Sequence, residues 1–384
     1  MSWPEARRRA HAAATALPQE LVPLAEAGGR RLVADLTAPY DLPHFASSAM
    51  DGWLVVGEGP WTLTDALPHP GQARPVVTGQ AIPIAELDAG TAAVLRSEHG
   101  ETSSGMVRSV AGAAPKAGQH IRPIGSEAIR GETLISVGAR LNPASLALAA
   151  SAGVDALTVH AVPEIALVLT GDEVIGHGVP DTGFVRDSFS VPLDDVLHGL
   201  GARVTGVTRV GDDLAAITAA IQSASAPLIL TTGGTGSSSA DHLRNALSHL
   251  GGRLLVDGVA MRPGGPTMVA ELPDGRLILC LPGNPLAAMV AAITLGEPLL
   301  AALSGRPMRA PRSIPAPDLA GRAATTLLVP YSITADGAVP TPWSGSAMMR
   351  GLAGADGLLV VPEAGLRADG VAESIDLPWV RPAR

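Results

Sequence analysis

The chain has 384 residues, 46% of them apolar, with a net charge of −9 and a mean hydropathy of +0.27. That length predicts roughly two to four domains, with ample apolar content for buried cores. The acidic balance and 3% aromatic content argue against nucleic acid as the main partner, because phosphate neutralisation needs a basic face and single strands need stacking platforms.

Residues 4–16 predict a helix, with Pro4 at its start and Ala and Arg filling it. The Ala-rich stretch after Arg9 is too short for a secretory leader and shows no cleavage site. Short helical pieces are predicted at Leu24–Ala27 and Leu32–Leu36. Residues 44–115 change texture, as short strands (Trp53–Val56, Pro75–Val77, Ala92–Arg96, Met106–Val110) alternate with Gly and Pro turns. This segment predicts a small β-rich domain inserted into a linking domain formed by residues 1–43 and 116–160. A helix at Pro143–Ala152 ends at Gly153.

From 161 to 305 strand and helix alternate. The predicted elements are Glu164–Leu169 (strand), Ser188–Leu200 (helix), Ala202–Arg209 (strand), Asp213–Ala224 (helix), Pro227–Leu230 (strand), Asp241–Leu250 (helix), Arg276–Leu281 (strand) and Pro285–Leu295 (helix). The rhythm predicts a parallel sheet with helices on both faces, an α/β domain whose ligands sit at the carboxyl ends of the strands. Residues 306–384 return to short strands, a second small β domain. Gly, Pro or charge interrupts every apolar stretch short of the ~20 residues of a membrane span, so a cytoplasmic protein off the membrane is expected. The single cysteine, Cys280, rules out an intrachain disulfide and reads as a buried hydrophobe within a strand.

The chemistry gathers in the loops of the α/β segment. The apolar run Ala226–Leu230 empties into Thr231-Thr232-Gly233-Gly234-Thr235-Gly236 and then Asp241. A strand, a Gly/Ser/Thr loop and a helix start can cradle a phosphate, with Asp241 placing a carboxylate beside it for a divalent cation. A plain βα turn with small residues accounts for this loop equally well. Thr170-Gly171-Asp172-Glu173, Arg186-Asp187-Ser188, Gly211-Asp212-Asp213 and Leu281-Pro282-Gly283-Asn284-Pro285 follow or precede other elements. Singly, each reads as a helix cap or a rigid turn. Together they suggest one glycine-walled, carboxylate-lined crevice suited to a metal-bridged polyanion. With a single lysine, Lys116, any cationic role in that crevice falls to arginine.

These motifs, with Ser48-Ala49-Met50-Asp51-Gly52, Thr78-Gly79 and Met261-Arg262-Pro263-Gly264-Gly265-Pro266, come in the order and spacing of the MoeA family, which the chain resembles over nearly its whole length. That family comprises the molybdopterin molybdenumtransferases and includes the gephyrin E domain. The resemblance implies a homodimer of elongated multi-domain subunits with a MogA-like α/β domain at 161–305. It implies insertion of molybdate into adenylylated molybdopterin with release of AMP and Mg2+ present. It also implies that Asp51, Glu173, Asp212 and Asp241 are catalytic, with Glu173, Asp212 and Asp241 near the metal. By the same resemblance Thr78, Asp187, Ser188, Thr232, Gly233, Gly234, Arg262, Pro282, Asn284 and Pro285 bind substrate. The chain departs from the pattern at Phe189, where the family usually has Asn, and at Arg262 and Gly265, where it usually has Lys. Two other readings stay open: a molybdopterin-binding scaffold of weak activity, and a molybdopterin adenylyltransferase, to which the Thr-Gly-Gly-Thr-Gly loop is closer.

Overall fold

The computed structural model describes residues 1–87, 90–233, 242–335, 337–368 and 370–379. The chain forms two compact units, one of Met1–Pro18 with His160–Arg384 and the other of Gln19–Val159.

The first unit is built on a six-stranded sheet. Its elements in chain order are α1 (Trp3–Ala13), β1 (Glu164–Thr170), α2 (Ser190–Gly199), β2 (Arg203–Val210), α3 (Leu214–Ser223), β3 (Leu228–Thr232), α4 (His242–His249), β4 (Arg253–Asp257), β5 (Met268–Glu271), β6 (Leu277–Leu281) and α5 (Pro285–Leu303). The strand order is β2-β1-β3-β6-β5-β4. The first four strands are parallel, and their last residues line up: Thr170 pairs with Val210, Leu169 with Thr232, and Thr232 with Leu281. The following loops therefore leave the sheet along one edge. Two-residue alternation sends Leu228 and Leu230 to one face with Leu193 of α2 and Leu299 of α5. It sends Ile229 and Cys280 to the other face with Ile217 and Ile221 of α3 and Leu243 of α4.

The expected parallel sheet is corrected by β5, which runs antiparallel to both of its neighbours, β6 and β4. Strands β5 and β6 form a hairpin closed through Pro273-Asp274-Gly275, a turn whose residue types favour this geometry. Residues 1–18 also differ from expectation. Trp3, Ala6 and Ala10 of α1 belong to the core under α5, so this segment sits in the α/β unit and not in a linking domain.

Helix α5 runs eight residues beyond its predicted end at Leu295. Pro298 has no N–H to donate, which would ordinarily break an α-helix. Here Ala292–Gly296 winds as a π turn and the chain continues as helix from Glu297. At 19 residues and a mean hydropathy of 1.9, α5 is long and apolar enough to cross a membrane, yet it is entirely buried inside the protein. Glu297, 4% exposed, is its one buried charge. Its Oε1 accepts from Arg306 Nη1 at 2.7 Å and from the Arg309 backbone N–H at 3.1 Å, while Oε2 faces Arg7 of α1 at 3.6 Å.

A second sheet in this unit runs in the order Met261–Arg262, Thr326–Thr334, Gly357–Val361, Val371–Asp376 and Arg312–Pro315, with Gly337–Pro340 paired to Thr326–Thr334. In its core the Tyr331 hydroxyl meets Ser374 Oγ at 2.8 Å.

The other unit holds a six-stranded sheet within residues 52–109 and several two-stranded pairs. Its helix Pro143–Ser151 is capped by Asn142, whose side chain accepts from the Ser145 N–H at 2.9 Å. Leu24–Glu26 forms one 3-10 turn. Leu32–Leu36 is not the predicted helix. Leu32 bridges Val159, Leu36 enters a strand with Ile135, and Asp35 accepts from the Val137 N–H at 2.6 Å.

Removing Glu297 leaves Arg7 buried and unpaired, which costs about 3 kcal/mol or more. Glu297→Ala is expected to lower the thermal midpoint strongly, whereas Glu5→Ala, at an exposed pair with Arg8 and Arg9, leaves it nearly unchanged. Thermal melts of the two variants side by side check this.

Candidate functional site

At the shared edge of the four parallel strands lies a cavity of about 570 Å³, a size that suits a nucleotide-scale ligand. Its lining comes from every loop that leaves this edge. Thr170, Gly171 and Glu173 follow β1, and Asp212 follows β2. Thr232 and Gly233 end β3, while Gly283, Asn284 and Pro285 join β6 to α5. Val174, Val185, Arg186, Asp187, Ser188 and Phe189 come from the excursion between β1 and α2, and Ala347 from the segment before Gly357–Val361. The Ala287 N–H of α5 donates to the Ser346 carbonyl at 3.1 Å, which seats that last segment at the cavity.

Backbone approach explains the glycines. Gly233 has φ +78, and a Cβ there would lie 2.7 Å from Thr170 Oγ1, which itself donates to the Thr232 carbonyl at 2.6 Å. At Gly211 a Cβ would come within 2.4 Å of Asp172 Oδ1. That contact exists because two loops are laced together: Asp172 Oδ1 accepts from the Asp212 N–H at 3.3 Å, and Asp212 Oδ2 accepts from the Asp172 N–H at 3.4 Å.

The carboxylates divide by environment. Asp187 is a structural acid, its side chain only 5% exposed. One oxygen accepts from the Phe189 N–H at 2.9 Å and the Ser190 N–H at 3.2 Å, and the other meets the Ser190 hydroxyl and Arg209. Burial pushes its pKa up, but the Ser190 hydroxyl, the two N–H donors and Arg209 outweigh it and hold the carboxyl below its usual range. Asp187 thus does the helix-capping work that its position allows, with both oxygens engaged. The cap of α3 is Asp213, accepting from the Ala216 N–H at 2.8 Å, which leaves its neighbour Asp212 on the cavity wall. Glu173 is exposed on that wall as well.

Several predicted residues lie elsewhere. Pro282 is buried beneath the wall, and Arg262 is exposed outside the lining. Arg262 belongs to a short strand paired with Thr326–Leu327, and burial of Met261 turns its neighbour outward. Asp51 and Thr78 meet each other in the other unit. Asp51 Oδ1 accepts from the Thr78 N–H at 2.6 Å and the Thr78 hydroxyl at 2.9 Å, which holds the Asp51 carboxyl below its usual value. Gly234 and Asp241 lie outside the described residues. Among the described residues no three of His, Cys, Asp and Glu cluster as a metal site; the expected set included Asp241. The lining also holds two residues that the sequence reading names without assigning to binding: Arg186, the one cation among the described lining residues, and Phe189, the one aromatic. Both flank the Asp187-Ser188 pair already singled out, so the signal was adjacent.

A register-aligned parallel sheet whose glycine and acidic loops enclose a cavity at its strand ends defines an α/β protein with its ligand site at the carboxyl ends of the strands. Residues 1–153 match the family model of the MoeA N-terminal region (domain I and II), and residues 166–302 match that of a probable molybdopterin binding domain. The chain is 34% identical over 325 residues to a molybdopterin molybdenumtransferase of Synechococcus elongatus, covering 77% of this chain and 78% of that one. It is 32% identical over 316 residues to molybdopterin molybdenumtransferase 2 of Mycobacterium tuberculosis, covering 74% and 75% respectively. Its fold is that of a molybdopterin biosynthesis moeA protein from Pyrococcus horikoshii OT3, with a TM-score of 0.74, 21% identity and coverage of 97% and 99%. The chain belongs to the MoeA family of molybdopterin molybdenumtransferases.

The lowered pKa of Asp187 has a consequence for stability. A carboxylate held below its unfolded value stabilises the fold above about pH 4 and loses that contribution as pH falls through the folded value. Asp187→Asn is expected to be less stable than the parent at pH 7, with the gap narrowing below about pH 4. Urea unfolding across pH 3–7 measures it, and a constant gap would count against the assignment.

Proposed function

We propose that this chain inserts molybdenum into molybdopterin, taking adenylylated molybdopterin and molybdate as substrates and releasing AMP. The observation that carries the reading is the cavity at the aligned strand ends, lined almost wholly by the segment matching a molybdopterin binding domain. Backbone at Gly171, Gly233 and Gly283 can approach phosphate oxygens closely, and Arg186 offers a cation beside them. Glu173 and Asp212 supply the hard oxygen donors that Mg2+ takes, and with Asp241 they would hold it. Held there, a divalent cation would supply positive charge to offset that of the phosphates. Asp51, held by Thr78, is the acidic group we assign to the other unit's share of the chemistry. A cytoplasmic homodimer is the proposed assembly, supported by the family resemblance.

The test is an in vitro assay with adenylylated molybdopterin, molybdate and magnesium, following bound molybdenum and free AMP. The parent is expected to yield both. Asp51→Ala and Glu173→Ala should each reduce insertion by about 100-fold or more, with Glu173→Ala melting near the parent because its carboxylate is exposed and Asp51→Ala somewhat lower because it gives up the Thr78 hydrogen bonds. Parallel loss of stability and activity would make these residues structural. A parent that binds molybdopterin without inserting molybdenum would favour the scaffold reading.

A further inference from the structure

Between Gly337–Pro340 and Gly357–Val361 of the second sheet the chain makes a detour to the strand-end cavity. Residues 342–348 are exposed one after another, yet Ala347 reaches the cavity lining. The stretch is anchored at its ends, where the Thr341 N–H donates to the Pro330 carbonyl at 2.8 Å and Met349 packs against the core around α5. In its middle the Ser346 carbonyl accepts from the Ala287 N–H at 3.1 Å. Ala287 lies in the first turn of α5, where a backbone N–H has no partner within the helix. The two ends of the loop also meet: the Arg350 guanidinium lies over the Trp343 ring, 3.7 Å from its centroid. Trp343 is 46% exposed and holds φ +59, a left-handed conformation unfavourable for a residue with a Cβ. Strain of this kind persists only where surrounding contacts hold it. Here the Arg350 stack does so, with a close backbone approach at Gly351, where a Cβ would lie 2.5 Å from the Pro342 carbonyl oxygen and 2.9 Å from that of Trp343.

We propose that Trp343 and Arg350 form a clasp: their stack closes the loop between them and so keeps Ser346 seated on α5 and Ala347 at the cavity wall. Both are then positioning residues for the reaction at that cavity, an assignment that rests on the proposed function. Neither side chain lines the cavity, so the pair acts through the segment it closes. With the clasp open, that segment must be ordered when substrate arrives, and the cost falls on binding. The signature is a raised KM with kcat kept.

The first readout needs no substrate. Amide hydrogen exchange at Ala287 reports whether Ser346 is seated, with Val290 and Ala291, deeper in the helix, as internal reference. Trp343→Gly suits the left-handed backbone while removing the ring, so its melting temperature should not fall. Arg350→Met keeps the aliphatic stem and removes the cation. Each is expected to speed Ala287 exchange, and to raise KM for adenylylated molybdopterin, about two- to fivefold, with kcat near the parent's. The double variant should do no more than either single one. Trp343→Tyr, which keeps an aromatic face, should stay close to the parent. Unchanged Ala287 exchange in the single variants overturns the clasp, and so does a Trp343→Gly variant that melts well below the parent, which marks a packing role. Faster exchange with an unchanged KM overturns the positioning role, and additive effects in the double variant overturn the pairing. If the parent inserts no molybdenum, the proposed function falls, while Ala287 exchange still decides the clasp.

Discussion

The site depends on the register of four parallel strands. Parallel pairing in the order β2-β1-β3-β6 ends Val210, Thr170, Thr232 and Leu281 within one residue of a common line. A slip of one residue would turn a strand's core residues to the opposite face, and the buried strands β1, β3 and β6 are packed on both faces, whereas β2 is largely exposed. Because Leu228 and Leu230 pack under α5 while Ile229 packs under α3 and α4, the strand that carries Thr232 and Gly233 cannot shift by one residue without unseating the packing on both faces. The cavity is thus a by-product of hydrophobic packing, with its polar groups carried to a common line by apolar neighbours.

At that edge the protein uses acids for two different purposes. Asp213 and Asp187 hold helix starts, and Asp172 ties the loop after β1 to the loop after β2. Those are internal hydrogen bonds that shape the wall. Glu173 remains exposed on it, and Asp212 shares in both, accepting one weak backbone bond while facing the cavity. Adjacent residues in sequence therefore differ in role because one points along a helix axis and the next points into open space.

That difference explains what could be read from the chain beforehand. Alternating strand and helix patterns and the acid–glycine loops were legible because periodicity and turn chemistry are local properties. Which member of Asp212-Asp213 caps α3 was not, since either residue type serves and only the backbone path decides. Arg262 followed a motif into a strand of the second sheet, where alternation carried its side chain away from the cavity. Helix α5 was cut short at Gly296-Glu297-Pro298, three residues that locally signal an end; a buried pair with Arg7 and Arg306 and a π turn override them. Of these only Arg7 comes from distant sequence; Arg306 lies nine residues on. The family resemblance reached the fold and several wall residues, but not Phe189, where this chain departs from the pattern.

The burial of α5 also bears on how the protein is made. A nascent chain that has just emitted Pro285–Leu303 presents nineteen greasy residues with the sequence character of a membrane span. What shields them comes from both directions of synthesis. The sheet strands and α1, which carries Arg7, precede α5 in the chain, whereas Arg306, whose guanidinium pairs with Glu297, and Arg309, whose backbone N–H donates to it, arrive within a few residues afterwards. The first helix of the chain is thus a pre-positioned cover. A nascent chain lacking it would meet chaperones, other nascent chains or a membrane surface with one side of α5 bare.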